Sequence, residues 1–511
     1  MTATGEQVGV DKSADATGER ACATARVSWW AYAGASLAAL APCFWQPRIQ
    51  AGDLSSHLYN AWLAQLIERG QAPGLTLARQ SNNILFDWML SGLLRAFGPG
   101  AAERVAVSAA VLVFFWGAFA FVWSCARPAP ARAPWHVAPC LAMLAYGWVF
   151  HMGLFNFYLS LGLCFAALAV VRRGKRGAVL VFPLLGIAYV AHALPVGWAA
   201  GVLLYDGAAR ALAPRYRIPL LAGALTGLAG LAALLCARFG GRWVPSQLMA
   251  ISGAEQTWVY AMHYAPIAAA VLAIWVLWFQ RMLETRGAER TILDVRFQLW
   301  LLCAAGVVVI PGEILLPGMR HTLNVMAERM SLATAVMFCG LAASVRPRRG
   351  EIVALGAIAA IFFGCIYADE RALNRLETRM AAAVAGLAPG QRVVSALEEP
   401  NSRVNCLAHL IDRVCLGRCF SYANYEPSTA QFRVRANGEN GIVVWQYGQS
   451  WGMQAGGYLV EARDLPLYQL DVCGPGGSGL CATPVKAGAV LQPTWLHVLP
   501  LFWNEKGRTG S

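Results

Sequence analysis

The sequence predicts an α-helical polytopic membrane protein with a small extracytoplasmic α/β domain at its C-terminal end. Three observations carry that expectation. Hydrophobic residues make up 57% of the 511-residue chain and charged residues only 14%. The apolar residues fall in runs close to the ~20 that a spanning helix needs. Basic residues cluster between alternate runs, as the positive-inside rule requires. Disorder is excluded, because it needs low hydrophobicity and high charge. A single soluble domain would carry roughly 25% charged residues. The net charge of +13 is spread over short inter-run clusters, so it reads as topology, and no nucleic-acid partner is expected.

Residues 1–28 form a polar tail of mixed charge, expected in the cytoplasm, without the apolar core of a signal peptide. The first run, 27–45, lies between Arg26 and Arg48 and reads as a retained span. Further runs cover 105–125, 135–150, 154–171, 178–194, 195–212, 218–237, 265–279, 297–310, 330–345 and 352–368. That is about eleven spans within 29–368, with 84–97 as a further span or a re-entrant helix. With the N-terminus inside, the inner loops hold Arg127 and Arg132; Arg172, Arg173, Lys175 and Arg176; Arg210, Arg215 and Arg217; Arg281, Arg286, Arg290 and Arg296; and Arg346, Arg348 and Arg349. An odd number of spans puts the C-terminus outside, together with the first outer loop, 46–104.

Residues 369–511 are less apolar and read as the soluble α/β domain. A helix is expected over 369–387, stopped by Pro389-Gly390. Strands are expected at 392–397, 441–446 and 458–460, and a short helix at 405–414. Cys406, Cys415, Cys419, Cys473 and Cys481 fall here. An oxidising compartment favours disulfides among them, with one thiol left over because five is odd. A metal at Cys415 and Cys419 is disfavoured, since no second close ligand pair accompanies them. The chain has no Asn-x-Ser/Thr sequon, which favours a bacterial inner membrane.

Polar residues gather on the outer side. Asp53 precedes a helical pattern with Leu58, Trp62, Leu63, Leu66 and Ile67 on one face. It is suited either to cap that helix or to act as a base. His57, four residues on, shares its face. His151, His192, His263 and His321 fall at outer ends of runs, and His409 and His497 in the outer domain. Arg320, His321, Glu328 and Arg329 stand at the outer entrance of the 330–345 run, and Arg242, Glu255 and His263 belong to another outer loop. A lipid-phosphate-linked substrate needs such a set: a bilayer for its tail, Arg or His for its phosphate, and a carboxylate to deprotonate a hydroxyl.

The first outer loop with its Asp53, the multispan body and the outer C-terminal domain together resemble the GT-C class of integral-membrane glycosyltransferases. Gly153-Leu-Phe-Asn-Phe-Tyr-Leu-Ser-Leu-Gly162, Ala191-His-Ala-Leu-Pro195 and Glu328-Arg-Met330 look like uncharacterised bacterial members of that group. The resemblance implies a polyprenyl-phosphate sugar donor and a glycan, lipid or protein acceptor, within membrane lipid. It implies Asp53 as base, Arg329 on the donor phosphate, and His57 and His192 lining the site. The chain departs from the class in having Leu54 and Ser55 after Asp53, not a second acid, and a divalent metal cofactor stays open. Two other readings remain. One is a transporter or flippase of a lipid-linked or small anionic substrate. The other is a membrane-anchored binding module using Tyr422, Tyr425, Trp445, Tyr447 and Trp451.

Overall fold

The computed structural model describes residues 29–126, 133–172, 175–318, 320, 322–474 and 479–500. Its helices are α1 (Trp29–Leu40), α2 (Leu54–Glu68), α3 (Leu85–Phe97), α4 (Pro99–Ala126), α5 (Ala138–Ala145), α6 (Trp148–His151), α7 (Phe155–Val171), α8 (Lys175–Ala191) and α9 (Ala193–Ala211). There follow α10 (Arg217–Phe239), α11 (Ala265–Arg286), α12 (Ala288–Ile292), α13 (Val295–Val309), α14 (Met326–Ala342), α15 (Arg349–Ala385), α16 (Leu410–Cys415), α17 (Tyr425–Thr429) and α18 (Gln449–Gln454).

Among the described residues, four helices are long and apolar enough to cross a membrane: Pro99–Ala126, Pro214–Phe239, Met262–Arg286 and Arg349–Ala385. Shorter apolar helices cover Phe155–Val171, Gly177–Ala191 and Val295–Val309. The number is smaller than the run count, for identifiable reasons. The 27–45 run is cut at Leu40, where Pro42 sits in a following 3-10 turn and cannot donate to a helical ladder. The 135–150 run splits at Tyr146 and Gly147 into the short α5 and α6. There a Cβ on Gly147 would lie 2.9 Å from the Gln256 carbonyl oxygen, so the chain turns where backbones meet closely.

Protein covers 61% of the apolar stretch in α4, but 11% in the α10 region and 17% in α15. So α4 is the helix on which others pack, whereas α10 and the first part of α15 present apolar side chains that call for a non-aqueous neighbour. α4 meets α7 where both lack side chains. A Cβ on Gly117 would lie 2.2 Å from the Gly162 carbonyl oxygen, and one on Gly162 would lie 2.6 Å from the Phe114 Cα. Small residues permit that approach.

α15 is one helix of 37 residues running through the 368/369 boundary expected from composition. It contains no proline, and its pattern changes without a break. Exposed Val353 and Ile361 give way to buried Asp369, Glu370, Asn374 and Glu377. The helix stops at Ala385, short of Pro389.

The C-terminal region holds a small sheet. β2 (Arg392–Ser395) is flanked by β4 (Phe420–Ser421) and β6 (Leu467–Cys473), both parallel to it, and β7 (Gly479–Val485) closes antiparallel on β6. β3 (Leu397–Glu398) pairs with β8 (Thr494–Trp495). β1 (Leu75–Leu77), from the 46–104 loop, pairs antiparallel with β5 (Val434–Ala436), so loop and C-terminal region are knitted together. The strand expected at 441–446 is absent. The Asn440 side chain instead accepts from the Ile442 and Val443 amides. At 458–460 a single bridge, Leu459 to Val490, replaces a strand. Cys415 pairs with Cys419 and Cys473 with Cys481, while Cys406 is a free, buried thiol.

Candidate functional site

The chain entering Asp53 is strapped down before it arrives. Arg413 on α16 binds Glu377 of α15 at 2.7 Å, Glu103 of α4 at 2.8 Å and the Ile49 carbonyl at 2.9 Å. Glu103 also accepts from the Ile49 amide, and Glu377 from the Gln50 side chain. All three charges are buried, so removing Arg413 would leave Glu103 without its cation in low dielectric. Gly52 then donates to the His151 carbonyl at 2.7 Å, and Asp53 to that of Met152 at 3.0 Å. Gly153 permits this docking. Its φ is +83°, and a Cβ there would fall 2.4 Å from the Asp53 nitrogen.

Asp53 stands at the start of α2 but makes no capping hydrogen bond. Its carboxylate instead faces a cavity of about 910 Å³. His57, His192, Arg329, His409 and Tyr425 line the same cavity. The walls are thus the 46–104 loop, the starts of α7, α9 and α14, and the C-terminal region. Val325, a β-branched residue at φ +48°, leads into α14 on this wall. Such a conformation is a rare outlier that the surroundings must enforce.

Four polar arrangements define the chemistry available. His409 donates from Nδ1 to Asp412 at 3.1 Å and presents Nε2 to Asp53 at 3.7 Å. The other Asp412 oxygen accepts from the Ser421 hydroxyl at 2.5 Å. Burial alone would make His409 less basic, but the Asp412 and Asp53 carboxylates outweigh it and raise its pKa. Arg329 forms no ion pair among the described residues, and its buried Nε has no hydrogen-bond partner. A buried guanidinium donor that is unmatched in the protein is a ready anion ligand. His192 accepts at Nδ1 from the Leu194 amide at 3.2 Å, which leaves Nε2 carrying the proton.

The fourth arrangement sits beside the cavity. His57 donates to Asp87 at 2.7 Å, and Asn156 fixes Asp87 by donating at 2.8 Å while accepting from the Phe86 amide. Burial opposes the His57 cation, yet the Asp87 charge and hydrogen bond win and hold its pKa at about 9. Burial holds nearby Glu426 up at about 8. Both groups bind protons in the folded chain at pH values where the unfolded chain has released them, so stability falls as pH rises. The Glu426 contribution is complete below its ordinary 4.5 and gone above about 8. That of His57 is complete below 6.5 and gone above about 9. The unfolding midpoint is therefore expected to drop between about pH 6 and 9. Asp87→Asn should flatten the part due to His57. A wild-type-minus-variant difference independent of pH across that range would refute the assignment.

Of the residues singled out in the sequence, Asp53, His57, His192 and Arg329 come together here. Three do not. His263 lies against Asp369 at 3.1 Å, in a separate buried group with Tyr264. Glu328 points away and accepts from Ser246 at 3.1 Å. Arg320 is exposed and does not line the cavity. His321 lies outside the described residues. Tyr425 and Trp451 do line the cavity, while Tyr422 is buried with its hydroxyl on Asp464. His409 was legible as an outer-region histidine, with Asp412 at helical spacing as the signal of an orienting partner. Asp87 and Asn156 carried no local signal. Among the described residues no group of three or more His, Cys, Asp or Glu is placed to hold a metal ion. Comparison with protein families, curated proteins and solved structures finds nothing that matches the chain.

Proposed function

We propose that the protein is a membrane glycosyltransferase of the GT-C type, moving a sugar from a polyprenyl-phosphate donor to a hydroxyl acceptor. The observation that carries the reading is the shared cavity. It joins a carboxylate that caps nothing, Asp53, to a guanidinium without an ion pair among the described residues, Arg329, beside apolar helices. In the proposed step the acceptor oxygen bonds to the anomeric carbon as the bond from that carbon to the phosphate oxygen breaks. The acceptor proton passes to Asp53, and polyprenyl phosphate leaves with its charge at Arg329. His192 offers its Nε2 proton to the donor. His409 and the His57 cation keep the surroundings of Asp53 positive. The proposal includes the full topology of about eleven spans, an N-terminus in the cytoplasm of a bacterium, and the cavity on the opposite face of its inner membrane.

The test is transfer from a panel of radiolabelled polyprenyl-phosphate sugars by the purified full-length protein in lipid. Transfer from one donor is the expected result. Donor binding without turnover points to a missing acceptor, and no binding of any donor would overturn the reading. Arg329→Gln should weaken binding of polyprenyl phosphate by roughly tenfold or more, the worth of a charge-assisted hydrogen bond. An unchanged affinity would remove Arg329 from the phosphate site.

A further inference from the structure

A second cavity, of about 870 Å³, opens at the far end of the same helices. α7 contributes Asn156 and Phe157 to the first cavity and Ala169 and Val171 to this one, so most of the helix separates them. At a rise of ~1.5 Å per residue that is roughly 18–22 Å. The function proposed above makes no use of it.

Its lining combines cationic and apolar side chains. Arg172, Arg210, Arg217, Arg290 and Arg296 line it, against the carboxylates of Asp206 and Asp294. Five guanidiniums that cannot deprotonate thus face two carboxylates. Those carboxylates are also shared. Asp206 holds Arg210 at 2.8 Å and Arg172 at 3.4 Å; Asp294 holds Arg296 at 2.5 Å and, from beside the cavity, Arg286 at 3.4 Å. Among the described residues Arg217 bonds to the main-chain oxygens of Ala209 and Leu293, which neutralise nothing. Arg290 is exposed. The apolar wall consists of Ala120, Trp123, Ala169, Leu203 and Val295. A surplus of fixed positive charge beside an apolar wall fits an anion that carries a hydrocarbon chain.

We infer that this cavity binds a phosphate ester, its phosphate among Arg217, Arg172 and Arg290 and its acyl or prenyl chain against Trp123 and Leu203. The ligand is a lipid phosphate, and the free anion shares the head-group chemistry.

The test uses the full chain in bilayers and reads quenching of Trp123, defined as the difference between wild type and Trp123→Phe. Brominated phosphatidylglycerol should quench that component at a mole fraction on the order of fivefold lower than brominated phosphatidylcholine. Arg217→Gln should bring the two lipids close to parity. Because Arg217 also ties α10 to the chain around Leu293, its fold is checked by gel filtration. Arg290→Gln, at an exposed position, is made separately and should reduce the preference by itself. Inorganic phosphate at millimolar concentration separates the two sources. If it reverses the quenching, the anion alone is held; if it does not, the chain is needed, and both results support the site. Equal quenching by the two lipids in wild type, or a preference that survives both variants, would overturn it.

Discussion

Asp53→Asn is expected to lower sugar transfer by roughly 10²–10⁴-fold, the usual contribution of a positioned general base, while the fold and donor affinity persist. The substitution keeps shape and removes only charge and basicity. No capping bond is lost, because the Asp53 side chain makes none. Among the described residues its charged neighbour within ion-pair distance is His409, at 3.7 Å, and His409 keeps its shorter contact with Asp412. The loop around Asp53 is held through main-chain atoms, which the variant leaves in place. The measurement is single-turnover transfer alongside binding of polyprenyl phosphate. A fall in both would mean a collapsed site. Full transfer would remove Asp53 as base and turn attention to His409, which Asp412 orients in the way an acid orients a catalytic imidazole. His409→Gln decides between them, for it should then be the more damaging change.

Gly153→Ala should be nearly as severe for a different reason. Alanine must adopt a left-handed backbone, and its methyl group would overlap the Asp53 nitrogen at 2.4 Å, with the Asp53 Cα and the Leu54 nitrogen each at 2.9 Å. Those are main-chain atoms, so no rotamer relieves the overlap. The strained backbone alone costs about 1–3 kcal/mol. The overlap must be relieved by moving the 51–54 segment away from His151 and Met152. Thermal unfolding should show a lower midpoint, and transfer should fall with it even at temperatures where the protein is folded. A variant with unchanged midpoint and activity would show that Asp53 does not depend on this docking.

What the sequence made legible follows from the range of the forces involved. Membrane character was readable because it is a sum over composition, and α4 and α7 coincide closely with apolar runs, while α15 only begins as one. The start of α2 and the sharing of one face by Asp53 and His57 were readable because helical spacing is local. The Cys415–Cys419 and Cys473–Cys481 pairs agree with the expectation that two bridges would leave one thiol over. The selection among the outer polar residues was not readable. His192 and His263 look alike in sequence, each at the end of an apolar run. Only the third dimension sends one to the Asp53 cavity and the other to Asp369. The β1–β5 pairing was hidden for the same reason, since its strands are three residues each and lie in distant parts of the chain. A composition change also misled at residue 369, where the chain alters its solvent and not its secondary structure.

The uninterrupted α15 and the Arg413 clamp have a consequence for how the protein comes into being. The cavity wall begins at Asp53 and ends at Ala455, so nine-tenths of the chain must be synthesised before the wall can be complete. Until Arg413 arrives, Glu103 and Glu377 are carboxylates without their shared cation. The helical body made first therefore lacks part of the cavity wall until the last segments settle onto it. A fragment beginning after α15 would carry His409 and Asp412 but no Asp53 to face them, and the two pieces would have to find each other to make a site.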